Sequence, residues 1–96
     1  MILVTGFSQI GAFSNASQVL IESFVTQLPQ ALKSLRHNIH FEIFEGNRNS
    51  ISKELHYMLH EINPSHCIFT GQAPGRDNIT LETRAVNYKL LGPPLE

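Results

Sequence analysis

Hydrophobic positions along the chain fall into short blocks separated by longer periodic stretches. Ile2-Leu3-Val4 is a compact apolar run that stops at Thr5-Gly6, which reads as a buried parallel strand over residues 2–6. Ser14 and Asn15 then offer N-caps for a helix starting near Ala16. Leu20, Phe24 and Leu28 recur at four-residue spacing, with Val19 and Leu35 nearby, and predict an apolar stripe. Pro29 lacks a backbone N–H, so the helix should end or kink at Leu28. Ile39, Phe41 and Ile43 alternate with His40, Glu42 and Phe44, giving a strand over 39–44 with one better-buried face. The polar loop from Glu45 to Asn49 leads to Ser50, the expected cap of a second helix. Its Ile51, Leu55, Met58, Leu59 and Ile62 form an amphipathic face that Asn63-Pro64 closes. Residues 67–70, Cys67-Ile68-Phe69-Thr70, read as a third strand that ends at the loop beginning with Gly71.

The order β-α-β-α-β predicts an α/β fold: a three-layer, mainly parallel sheet with flanking helices and right-handed crossovers. In such sheets ligands bind outside the carboxyl ends of the strands. That places the loops Thr5 to Gly11 and Gly71 to Arg76 where chemistry is expected.

Composition narrows the function classes. Ninety-six residues make at most one domain, read here as a single unit over 1–96, and 42% hydrophobic with 16% charged residues suits a globular chain. A net charge of −1 with scattered Lys and Arg gives neither a nucleic-acid surface nor a membrane-binding basic patch. No apolar run reaches the roughly 20 residues that span a bilayer. The opening Met1-Ile2-Leu3-Val4 lacks the basic flank of a signal peptide, and one cysteine cannot form an internal disulfide, so a reducing cytoplasm is expected. His56 and His60 share a helix face, but Tyr57 stands where a zinc-peptidase helix needs Glu, and no third ligand is evident. No metal or other cofactor is expected. The Gly75-Arg76 loop has neither Walker nor dinucleotide-binding glycine spacing.

The stretch Gly71 to Asn87, GQAPGRDNITLETRAVN, combines a Gly-Pro-Gly turn, an alternating segment and an embedded carboxylate. It resembles the glutamate active-site signature of pyroglutamyl peptidase I, a family of cysteine peptidases that remove N-terminal pyroglutamate. Gly71, Pro74, Ile79, Thr80, Glu82, Ala85 and Asn87 fall on that signature in register, while Thr83 replaces its basic residue and Arg84 an apolar one. The chain's opening is similar to the family's Thr-Gly-Phe motif with a following Asn-Pro-Ser. Val4 to Phe7, Gly11, Asn15 and Ser17 match, with Gln9 in place of Pro, Ile10 in place of Phe and Ala12 in place of Gly. Ile62-Asn63-Pro64 followed by an apolar strand fits the same spacing. The resemblance covers nearly the whole chain and about the first half of the family's usual length.

What the resemblance implies is a Cys-His-Glu triad in which this region supplies Glu82, orienting the histidine and stabilising its imidazolium. On residue pattern alone Glu82 reads more readily as a solvent-facing strand residue, and the seven motif matches reverse that in favour of the triad position. Gln72 is implied to hold the lactam ring, since a carboxamide both donates and accepts; it could otherwise stabilise its own loop. Asn15 is implied in the same role or is a helix N-cap. Phe7 and Ile10 are implied as apolar walls against the ring, or are core residues. Cys67 lies beside His66 on a strand, where neighbouring side chains point to opposite faces, so it is expected to be a buried structural cysteine and not a nucleophile. The family's nucleophilic Cys and its His come from the second half.

The leading expectation is a partial member of that family, acting on a pyroglutamyl peptide only if completed by a second half and inactive alone. A non-catalytic α/β binding or interaction module that self-associates or takes a complementing chain at a bare sheet edge is the alternative. A distinct small enzyme using Cys67 ranks last.

Overall fold

The chain, in a computed structural model, is described for residues 1–9, 14–73, 75 and 78–83. It is an α/β fold built on one parallel sheet. Strand β1 is Ile2–Phe7, β2 is Ile39–Phe44 and β3 is His66–Phe69, in the order β2-β1-β3. Both pairings are parallel, with Ile2 opposite Ile39 on one side and Ile2 opposite His66 on the other. Helix α1, Ala16–Thr26, connects β1 toward β2 through a 3-10 helix over Gln30–Asn38, and α2, Arg48–Ile62, connects β2 to β3.

Side chains alternate along a strand, so β1 can serve two helices. Leu3 and Phe44 pack on Met58 of α2, with Ile51, Leu55 and Ile62 against the same cluster. Gly6, one of the intervening residues, meets α1. A Cβ there would lie 2.7 Å from Ile21 Cδ1 and 3.1 Å from Ser17 Cβ, so the close approach of helix to strand requires glycine. Tilted ring pairs hold β2 to its neighbours, Phe24 to Phe41 and Phe7 to Phe44, each with centroids 6.3 Å apart.

The buried face of α1 differs from the expected stripe. Ser17 and Ile21 are buried, whereas Leu20 is exposed and Val19 is 63% exposed. The reason is polar: Ser17 Oγ accepts from the Phe7 N–H at 2.9 Å and donates to Asn15 Oδ1 at 2.6 Å, which makes a buried hydroxyl favourable in the notch above Gly6. Helix α1 also stops at Thr26, before Leu28, because Gln27 turns extended ahead of Leu28-Pro29. Leu35 belongs to the 3-10 helix that starts after Pro29, where Leu32 N–H reaches Pro29 O at 2.9 Å. Helix α2 begins earlier than expected. Its N-cap is Asn47, whose side chain accepts from Ser50 N–H at 3.0 Å, while Ser50 sits inside the first turn. Gly46, at φ +97°, supplies the left-handed turn that aims Asn47. The other end closes as expected at Asn63, left-handed at φ 48°, followed by Pro64.

One expectation fails at β3. Cys67 is exposed, not buried, and all four residues of the strand are exposed, including Ile68 and Phe69. Strand β3 is an edge, and the apolar clusters of both helices centre on β1 and β2. Residues 78–83 lie outside any strand and are exposed, with Ile79 97% and Leu81 92% accessible. An alternating pattern becomes a strand only where a neighbour completes its ladder. Among the described residues no helix is long and apolar enough to cross a membrane.

Candidate functional site

The strand order β2-β1-β3 places a topological switch point at the carboxyl ends of β1 and β3. Phe7 ends β1 there, 38% exposed, with its ring against Phe44. Strand β3 is tied to β1 at the same end, because Thr70 donates both its N–H, at 2.9 Å, and its Oγ1, at 2.7 Å, to Thr5 O. The chain leaving β3 is thereby directed over β1. Gly71 faces the Phe7 ring, and a Cβ built on it would touch Phe7 Cε2 at 3.5 Å.

The next residue reaches the first turn of α1. Gln72 Oε1 accepts from the Ala16 N–H at 2.7 Å. Asn15 caps the same helix, its Oδ1 accepting from Ser17 N–H at 2.9 Å. Two of the helix's N-terminal donors are thus satisfied by two carboxamide oxygens, one from the cap residue and one from the loop after β3. The first turn contains no acidic residue, so the positive end of the helix dipole meets only neutral groups from these two side chains. With both oxygens engaged, the NH2 of each carboxamide is the group that can still donate to a carbonyl oxygen. The ring of Phe7 lies against Gly71, the residue before Gln72.

Of the residues singled out from sequence, Phe7, Asn15 and Gln72 are brought together by α1. Asn15 acts as the N-cap, the second of the two roles open to it. Glu82 lies on the exposed stretch 78–83 and makes an interaction of its own. Ile10 lies outside the described residues, as do Gly11, Pro74, Arg76, Ala85 and Asn87 of the two motifs. Cys67 is not joined to His66, whose Nδ1 instead pairs with Ser65 Oγ at 3.0 Å. Among the described residues no three His, Cys, Asp or Glu side chains gather as a metal site would require.

Ser17 is the residue that sequence reasoning missed. It matches the Asn-x-Ser spacing, but that spacing does not reveal that its hydroxyl binds the end of β1 to the helix cap. An Asn two residues before a Ser at a helix start is the signal that could have exposed it.

No protein-family model matches the chain, and comparisons with curated proteins and with solved structures find no significant match.

Proposed function

We propose that these residues form a partial α/β domain of the pyroglutamyl peptidase I type. It carries the substrate-loop side and the triad Glu82, and is inactive as a peptidase alone. The observation that carries the reading is the Gln72–Ala16 hydrogen bond at 2.7 Å, which unites the two motif regions beside Phe7. A pyroglutamyl ring is a flat lactam with an exposed carbonyl, and it suits an aromatic wall flanked by carboxamide NH2 donors. Supporting a three-layer arrangement, Ile21 of α1 meets Gly6 while Met58 of α2 clusters with Leu3 and with Phe44 of β2, and Gly6 and Leu3 have opposite parity on β1. Supporting partial character, every residue of β3 is exposed. A single thiol without an internal disulfide fits a cytoplasmic setting.

Titration of the 15N-labelled chain with pyroglutamide tests the site. Shifts should centre on Phe7, Ala16 and Gln72, and an unchanged spectrum overturns the reading. A pyroglutamyl-amide reporter should release nothing, because Glu82 can orient a histidine but cannot act as the thiolate the family uses. Release that Cys67→Ser abolishes would instead establish the small-enzyme reading.

A second reading is favoured by the bare edge. A non-catalytic module adding a partner strand at β3 would use its outer backbone groups, which meet no further strand among the described residues, and its exposed Ile68 and Phe69.

A further inference from the structure

A hollow of about 460 Å³ lies between the end of α1, the 3-10 helix and β2. Ile39, the first residue of β2, lines it together with Phe24 and Leu28, so it sits at the opposite end of that strand from Phe44. Its apolar part is the tilted Phe24–Phe41 pair, with Leu28 only 9% exposed. Its polar part is cationic. Lys33 and Arg36 both line it, and no carboxylate does.

The local fold explains why the two cations act together. A 3-10 helix has three residues per turn, so positions three apart eclipse one another. Lys33 and Arg36 therefore stand in one row of the helix over Gln30–Asn38. Neither forms an ion pair among the described residues. Val25, Thr26 and Gln27 at the end of α1 also line the hollow, and a helix C-terminus carries roughly half a negative charge. The two full positive charges of Lys33 and Arg36 exceed that half charge in magnitude.

We propose that this hollow binds a small apolar carboxylate. The apolar body lies on Phe24, Phe41 and Leu28, and the carboxylate lies between Lys33 and the fork of Arg36. The volume is within the roughly 300–1,000 Å³ range of small-molecule sites. The inference is independent of the pyroglutamyl reading, which concerns the other end of the sheet.

The test uses the whole chain, 15N-labelled, titrated with naphthalene-2-carboxylate and separately with naphthalene-2-carboxamide. The carboxylate should move amides of residues 24–28, 33–36 and 39–41 and leave Phe7, Ala16 and Gln72 in place. The carboxamide should bind at least about tenfold weaker, the loss expected for one charge-assisted contact. The double variant Lys33→Gln/Arg36→Gln, which alters exposed side chains, should bring the acid down to the affinity of the amide. Equal binding of acid and amide by the unaltered chain overturns the proposal without recourse to any variant. So do shifts centred elsewhere, or undiminished binding by the double variant.

Discussion

Gln72 and Ala16 are fifty-six positions apart, yet the side-chain oxygen of one accepts the backbone N–H of the other at 2.7 Å. This bond closes the loop after β3 onto the start of α1. It also fixes the role of each carboxamide atom of Gln72, because the oxygen is engaged as an acceptor and the NH2 is the donor that remains.

Replacing Gln72 separates these two roles. In Gln72→Ala the Ala16 N–H loses its acceptor, and its hydrogen exchange should quicken several-fold, with stability down by about 0.5–1 kcal/mol at this exposed position. Gln72→Glu keeps an acceptor, and a carboxylate is favoured at a helix N-terminus, so Ala16 should stay protected. Both variants lose the NH2 and should bind pyroglutamide poorly. Equal loss of Ala16 protection in the two would show that the bond does not hold the loop.

Ser17 is the buried bridge between β1 and the cap. Ser17→Ala leaves the Phe7 N–H and Asn15 Oδ1 each without one partner in a site that is 2% exposed. The expected loss is about 1–3 kcal/mol, read as a lower urea midpoint at unchanged slope. An unmoved midpoint would mean that water replaces the hydroxyl at no cost.

Cys67 should be open to solvent in the folded chain. Ellman's reagent should label it fully without denaturant, because every residue of β3 is exposed. Cys67→Ser should change stability by no more than about 0.5 kcal/mol, the usual range for surface substitutions. Labelling that requires urea would show that another surface covers the edge.

How much of this was legible beforehand follows from what each signal measures. β1, β2 and both α-helices stand in the apolar pattern, since burial of one face is a property of the sequence pattern itself, whereas β3 is a short apolar block whose four residues are all exposed. The parallel pairing follows from helices placed between consecutive strands. Helix ends were less legible: Asn47 and Ser50 are both good caps, and only the left-handed turn at Gly46 decides between them. The orientation of α1 was misread from Leu20 and Val19, because hydropathy cannot anticipate a buried serine satisfied by the backbone of Phe7.

The candidate site divides along the same line. The sequence by itself determined which residue types lie at the strand ends: an aromatic at position 7, carboxamides at 15 and 72, and a carboxylate at 82. Tertiary structure alone decided that Asn15 and Gln72 meet on one helix turn, and that their oxygens are engaged while their NH2 groups remain. It alone decided that Cys67 is exposed, because edge or centre is a matter of strand order, and nothing within a four-residue apolar run records its neighbours. The pairing of Lys33 with Arg36 also waited on structure: three-residue spacing stacks two side chains in a single row only in a helix with three residues per turn.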